Sequence, residues 1–326
     1  MQKKLIHRFP VVLLLLLATV CASHGFGQAF PTKPIRLIVP FTPGGSVDGV
    51  ARLIAPRMSA TLGQSVVIDN RPGASSNIGM ELAVRAPADG YTLLANTTPL
   101  VANSSLYPSM GFKPERDFAP ISLVASAPSV LVVTPSLAAQ NIKELIALAK
   151  AKPGALKYTS SGPGTITHLA AELFKFLTQT DILNVTYKGG GPGLTAVVSG
   201  ECNMSFQVPV AVSGLVVGGR LRALAVTGKN RLPSFPNVPT IAESGVPKFE
   251  FNSWVGIVAP AATAQPIIKL LNEHIVKAAH APEVTERLGR EDTEVVASTP
   301  EVLRATMNTE SALWAKVIKE MGIRVE

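Results

Sequence analysis

From residue 35 onward, compact apolar runs alternate with stretches whose apolar positions recur at helical spacing. "IRLIVPF" (35–41) is a β-branched run bounded by prolines, which suits a buried strand. In "VDGVARLIAPRMSATLG", Val50, Leu53, Ile54, Met58 and Leu62 follow a 3.6-residue period and predict a helix. The exchange then repeats. "SVVIDN" (65–70) reads as strand, "NIGMELAVRA" as helix and "YTLLANTT" (91–98) as strand. Strand, helix, strand, helix, strand implies an α/β fold with a mostly parallel, covered sheet.

A second unit of the same kind follows. Residues 118–136 hold two extended runs joined at "SAP". "NIKELIALAKAKPG" is an amphipathic helix stopped by Pro153 and Gly154. The strand "LKYTSSG", the helix "THLAAELFKFLTQ", the strand "ILNVTYKG" and the helical "GLTAVVSG" come next. "CNMSFQVP" and "LRALAVTG" are strand-like, and "SWVGIVAPA" (253–261) is extended again. Three terminal helices are expected, the first with Pro266 in its opening turn. The apolar segments near 120–134 and 253–260 bracket the second unit and are expected to be two crossings between lobes. Residues 30–127 with 252–326 would form one lobe and residues 128–251 the other.

Residues 1–29 break the alternation. "MQKKLIHR" is basic, "FPVVLLLLLATV" is apolar and "GFGQA" ends in small residues, the order of a secretory signal cleaved after Ala29. The apolar run from Phe9 to Cys21 is shorter than the roughly 20 residues a bilayer core requires. Val20 fits poorly before a lipid-bearing cysteine at Cys21. Cleavage would leave Cys202 alone, so no intrachain disulfide is expected, and its apolar surroundings suit burial as a small hydrophobe.

Composition adds bounds. The 326 residues are 47% hydrophobic and 16% charged, enough for substantial cores. The formal charge of +8 includes Lys3, Lys4 and Arg8 of the leader. No dense basic run with interleaved aromatics suggests a nucleic-acid partner.

Candidate chemistry sits in two glycine-rich loops, each between a strand and a helix. In "PFTPGGSVDGVA" (40–51), Pro43 restricts the turn, while Gly44 and Gly45 leave backbone N–H groups uncovered. Ser46 or Asp48 suits a helix cap. A carboxylate would repel an anion, so Asp48 either braces the loop, receives an amine or water of the ligand, or is a plain cap. In "SSGPGTITHLA" (160–170), Gly162, Pro163 and Gly164 shape the turn. Amides near Gly164 and Thr165, with the Ser161 hydroxyl, are expected to hold one carboxylate. His168 would donate to the ligand or to its own loop. Together the loops are expected to form opposite jaws of one anion site.

Several enzyme signatures are missing. There is no phosphate loop, no G-x-G-x-x-G after the first strand, no G-x-S-x-G elbow and no H-E-x-x-H. His168, His274 and His280 form no recognisable metal-ligand cluster, and no cofactor is implied. Asp69, Arg71 and Asp89 are further candidate polar site residues, but each adjoins a turn, where solvent exposure or loop bracing is the ordinary role. Phe41, Trp254 and Trp314 suit packing.

These loops, with "VVIDNRPGASSNIG", "VTYKGGGPGLTAVVSG", "GRLRALAVTGKNR" and "FPNVPTIAESGVPKFEFNSWVGIVAPA", resemble the extracytoplasmic solute receptors of the tripartite tricarboxylate transporter family, also called the Bordetella uptake gene family. The resemblance runs from about Pro34 to the C-terminus. It implies a class II periplasmic-binding-protein fold, with two lobes of mainly parallel-core mixed sheets and a ligand cleft between them. It further implies a monomer in the periplasm of a Gram-negative bacterium, delivering a small organic carboxylate to a membrane permease. Phe41, Thr42, Pro43, Gly44, Gly45, Ser46 and Asp48 match the family's first binding loop. Ser160, Ser161, Gly162, Gly164, Thr165 and His168 match the second, both holding a carboxylate, often with bridging waters. Asn96, Thr97 and Thr98 would face the distal part of the ligand.

The chain departs from the family pattern at Gln207, which follows Phe206 where Asp is frequent, at Thr186 in place of Pro, and at Ser75-Ser76-Asn77. Neutral Gln207 can both donate and accept, and so could read a carbonyl, an amide or a second carboxylate. The alternative function is a secreted hydrolase or transferase with the glycine loops as an oxyanion hole.

Overall fold

A computed structural model of the protein describes residues 30–325, so the expected leader lies outside the described residues. The first unit opens with β1 (Ile35–Val39), α1 (Ser46–Leu62), β2 (Val66–Asn70), α2 (Asn77–Val84) and β3 (Thr92–Asn96). β1 is parallel to both other strands, with Leu37 in register with Ile68 on one side and Leu93 on the other. Alternation along β1 sorts its side chains. Ile35, Leu37 and Val39 pack towards Ile54 and Met58 of α1, while Ile38 joins the opposite cluster with Met80 of α2.

The chain continues through α3 (Pro99–Leu106) and α4 (Pro114–Asp117) into β4 (Phe118–Pro128). Ser129 separates β4 from β5 (Val130–Val133), which belongs to another sheet. There follow α5 (Ile142–Ala151), β6 (Lys157–Ser160), α6 (Ile166–Thr178), β7 (Leu183–Thr186) and α7 (Gly190–Val198). β8 (Met204–Gln207), α8 (Pro209–Val217) and β9 (Arg222–Val226) complete the unit. Its sheet has the order β7-β6-β8-β5-β9. β6 is parallel to β7 and β8, whereas β5 is antiparallel to β8 and β9.

β10 (Asn252–Pro260) returns to the first sheet, antiparallel between β3 and β4. α9 (Gln265–Ala279), α10 (Pro282–Gly289), β11 (Glu294–Val295) and α11 (Pro300–Glu320) finish the chain. The order of the six-stranded sheet is β11-β4-β10-β3-β1-β2. The outgoing and returning segments pair with each other, Asn252 opposite Pro128 and Ser253 opposite Ala127. At the joint, Ser129 N–H donates to Thr227 Oγ1 at 2.7 Å, Thr227 N–H to Ser129 O at 2.9 Å and Phe251 N–H to Thr227 O at 3.0 Å. These bonds satisfy backbone groups that burial would otherwise strand.

Trp254 and Trp314 are buried packing groups in a core cluster that includes side chains from both sheets, and Cys202 is buried beside Val197 and Val212. Two expectations need correction. "IRLIVPF" and "YTLLANTT" stop being strand at Val39 and Asn96. α3 and α8 were not expected at all. α8 is nearly uniformly apolar, so it carries no helical period to detect.

Gly79 shows how tightly α2 meets the first loop. A Cβ there would lie 2.6 Å from Pro40 Cβ, 3.0 Å from Pro40 Cα and 3.2 Å from Arg71 O. Alanine favours a helix over glycine by about 1 kcal/mol, but overpacking against backbone costs about 1–3 kcal/mol. Gly79→Ala is therefore expected to lower the urea midpoint despite the better helix former. A raised midpoint would contradict this packing.

Candidate ligand-binding site

Five helices begin around one cavity of about 340 Å³. α1 brings Gly45, Ser46 and Val47, and α6 brings Thr165, Ile166 and Thr167. Pro99 opens α3, Gly190 opens α7 and Val208 precedes α8. Phe41, Ser75 and Thr97 from the first unit face Ser161, Phe206 and Gln207 from the second. Among the described residues, no charged side chain lines this space. Helix starts leave N–H groups without intrahelical partners and carry the positive end of the peptide dipoles. Among the described residues, the N–H groups of Ser46, Val47, Ile166 and Thr167 find no acceptor on the chain. The cavity is therefore electropositive without a cation.

The first loop is braced by Asp48, 1% exposed on the opening turn of α1. Its Oδ2 accepts from Gly44 N–H and from Arg52 Nε, each at 2.8 Å, and its Oδ1 accepts from Asn70 Nδ2 at 2.9 Å. Asn70 Nδ2 also donates to Phe41 O at 3.1 Å. Burial raises the carboxyl pKa, but the bonds from Arg52, Gly44 and Asn70 outweigh it and hold Asp48 at about 2 against an ordinary 3.8. Gly44, at φ +87°, supplies the left-handed turn that aims its N–H at Asp48.

The second loop is braced differently. Ser161 N–H donates to Thr167 Oγ1 at 3.0 Å, Gly162 N–H to Ser160 Oγ at 3.3 Å and Thr165 Oγ1 to Gly162 O at 2.7 Å. Gly164 N–H points to His168 Nδ1 at 3.4 Å. Burial of His168 lowers its pKa and favours the neutral ring, leaving Nδ1 free to accept that N–H. Beside Gln207, Ser205 Oγ accepts from Gln207 Nε2 at 2.9 Å and from Thr159 Oγ1 at 2.8 Å.

A model of the family described as "Tripartite tricarboxylate transporter family receptor" matches residues 50–323. The chain belongs to this receptor family. Protein BugT of Bordetella pertussis is 37% identical over 322 residues, covering 98% of this chain and 99% of BugT. Among solved structures, an R. palustris protein with adipate has a TM-score of 0.79 and 38% identity, covering 90% of this chain and 99% of that one. MatC from Rhodopseudomonas palustris with bound malate has a TM-score of 0.77 and 29% identity, covering 89% and 100%. The fold is accordingly the two-lobed periplasmic-binding-protein architecture, and the receptor is a solute-binding protein rather than a hydrolase or transferase.

The receptor's expected site residues separate into two groups. Phe41, Thr42, Gly45, Ser46 and Thr97 line the cavity from one side, and Ser161, Gly164, Thr165 and Gln207 from the other. Pro43, Gly44, Asp48, Asn96, Thr98, Ser160, Gly162 and His168 do not line it. Pro43 and Gly44 are exposed, while Asp48, Ser160, Gly162 and His168 brace the loops. Alternation along β3 and the onset of α3 leave Thr97 as the one residue of its triplet on the cavity wall. The expected amide donors also require correction. Gly44 and Gly164 direct their N–H groups to Asp48 and His168, and Gly45 donates to Thr42 O at 3.4 Å. The free donors lie one to three residues further on, in the first turns of the helices.

Val47, Ser75, Pro99, Ile166, Thr167, Gly190, Phe206 and Val208 also line the cavity without having been expected as site residues. The α1 and α6 starts were legible in the glycine loops, whereas those of α3 and α8 were marked only by Pro99 and Pro209, with no amphipathic period behind them. Asp69 accepts from Arg36 and Arg71, and Asp89 Oδ1 from Tyr91 N–H, so both brace loops outside the cavity.

The depressed pKa of Asp48 has a signed consequence. Its contribution to stability is present above about pH 3.8 and is lost as pH falls through about 2. Asp48→Asn removes the charge-assisted bonds to Gly44 and Arg52, worth on the order of 1.5–3 kcal/mol, and should flatten the acid limb of the stability–pH profile. Parallel acid limbs in the two proteins would show that Asp48 does not brace this loop.

Proposed function

We propose that the receptor captures a small organic dicarboxylate between its lobes and delivers it to a membrane permease of the tripartite type. The observation that carries this reading is the uncharged cavity ringed by helix N-termini. One carboxylate would accept from the free N–H groups of Ser46 and Val47 on α1 and of Ile166 and Thr167 on α6, with the Ser161 hydroxyl beside them. The other would lie towards Thr97, Gln207 and the starts of α7 and α8, with waters filling the remaining contacts. Dipoles and amides stabilise an anion at a helix start, whereas an unpaired carboxylate buried among apolar groups costs several kcal/mol. The ligands named for two similar structures, adipate and malate, belong to this chemical class.

The same reading sets the organisation of the chain. Residues 30–127 with 252–326 form the first lobe and residues 128–251 the second, with the joint at Ser129 and the paired crossings as the hinge. The receptor acts as a monomer in the periplasm of a Gram-negative bacterium after cleavage behind Ala29. Receptors of the family are periplasmic, and no helix among the described residues is long and apolar enough to cross a membrane. N-terminal sequencing of the exported protein should begin at Phe30.

Native mass spectrometry of gently purified protein should release an organic acid, and calorimetry should detect adipate or malate binding with no chemical change in the ligand. Protein recovered empty that binds neither acid nor citrate would overturn the proposal. Gly164→Ala provides a local test. Its φ is +76°, and a Cβ would lie 3.1 Å from Leu106 Cδ1 and 3.2 Å from Asn103 Oδ1 on the facing lobe. Strain and crowding together should weaken binding by about tenfold or more in a variant that circular dichroism shows to be folded. Unchanged affinity would mean that the lobes do not meet here when ligand is held.

A further inference from the structure

Ala74, Ser75 and Ser76 have φ values of 45°, 50° and 78°, a run of consecutive left-handed non-glycine residues that occurs nowhere else among the described residues. Such backbone is unfavourable for side-chain-bearing residues and persists where its surroundings over-determine it. Two residues on the adjoining helical segment do so here. Asn103, fully buried on α3, donates from Nδ2 to Ser75 O at 2.7 Å and to Asn77 Oδ1 at 2.8 Å. Tyr107, directly after α3, donates from its hydroxyl to Ser75 Oγ at 2.9 Å. With an incoming donor already on its oxygen, the Ser75 hydroxyl has its own proton to give, and it donates to Pro163 O at 3.1 Å. That carbonyl belongs to the second loop, 88 residues away and on the other side of the cleft. Gly164, next to it, lies against Leu106 and Asn103 so closely that a methyl group would have to displace them.

We propose that Ser75 is a positioning residue that latches the two lobes, with Tyr107 orienting its hydroxyl and Asn103 holding its strained backbone. This rests on the ligand-capture reading above and adds to it a device for retaining the ligand. The Tyr107 and Asn103 bonds stay within the first lobe, so they hold the serine ready whether or not the lobes meet. The Ser75–Pro163 bond exists only when they meet. It therefore stabilises the closed receptor alone and acts on dissociation, leaving the encounter of ligand with the open receptor unchanged. Glycine at position 75 would relieve the backbone strain but has no hydroxyl to donate.

The test uses the full mature receptor with adipate as probe. Stopped-flow displacement should show adipate dissociating roughly three- to tenfold faster from Ser75→Ala, the range for one neutral hydrogen bond, with association unchanged. Tyr107 does not line the cavity, so Tyr107→Phe leaves any ligand contact of Ser75 in place. It should still speed dissociation, by about twofold or more, and add little to Ser75→Ala in the double variant, because the two hydroxyls act as one relay. Hydrogen exchange at the Gly164 and Thr165 amides, measured without ligand, should be faster in both variants. If wild-type receptor does not bind adipate, that reading of the ligand fails, and the exchange comparison still decides the latch. Faster dissociation in Ser75→Ala with a wild-type Tyr107→Phe would mean that Ser75 touches the ligand directly and would overturn the latch. Unchanged kinetics and exchange in both variants would overturn it as well.

Discussion

On the ligand reading proposed above, holding an anion without a cation is the constraint on which this receptor's site depends. Among the described residues, no lysine, arginine or histidine stands on the cavity walls, so every favourable term must come from N–H groups, hydroxyls and peptide dipoles. Amides can serve only if nothing on the chain uses them first. The loops meet that condition by division of labour. Amides of the turns are taken up internally, Gly44 by Asp48, Ser161 by Thr167 and Gly162 by Ser160. Those at the starts of α1 and α6 are left open. Asp48 is thereby reconciled with an anion site. Its charge is spent on Arg52, Asn70 and Gly44, behind the helix start that its carboxylate fixes in place.

The second constraint is that the helix starts come from two sheets. α1 and α3 belong to the first and α6, α7 and α8 to the second, so the cavity exists only where the lobes are brought together. β4 and β10 do this by pairing with each other along their length while one residue, Ser129, separates β4 from β5. Two paired crossings resist shear more than a single strand would, yet still allow bending at a short joint. α11 adds packing across the same region, lying on α3 and β4 and reaching α6. The core cluster containing Trp254 and Trp314 also includes residues of the second sheet, such as Leu131 and Phe206.

The parts legible in the sequence were those with a period or a punctuating residue. β1, α1 and β2 were readable because β-branched runs and a 3.6-residue apolar period alternate cleanly, and the two glycine loops because Gly-Pro-Gly and Pro-Gly-Gly have few uses between a strand and a helix. α8 was not readable because Val210, Val212, Leu215, Val216 and Val217 leave no polar face. The identity of the amide donors was hidden for another reason. Glycine marks where a turn occurs, but which N–H is free depends on where the side chains of Asp48 and His168 end up. Asn96, Thr97 and Thr98 look equivalent in a row, and only the end of β3 at Asn96 and the start of α3 at Pro99 separate them.

Ser75 lay furthest beyond sequence reasoning, since its importance comes from bonds to Tyr107 and Pro163, 32 and 88 residues away. Its placement also links the two constraints. A cavity built from amides binds by geometry, and amides on separate lobes have the right geometry only when the lobes meet at the correct spacing. A salt bridge would tolerate small errors in that spacing, because Coulomb attraction falls slowly with distance. Hydrogen bonds weaken steeply once angle and distance drift. A receptor that relies on amides therefore has more need of contacts that set the lobe spacing independently of the ligand. Ser75 against Pro163 and Gly164 against Asn103 and Leu106 are contacts of that kind, lying beside the cavity and made by uncharged groups that leave its potential unaltered.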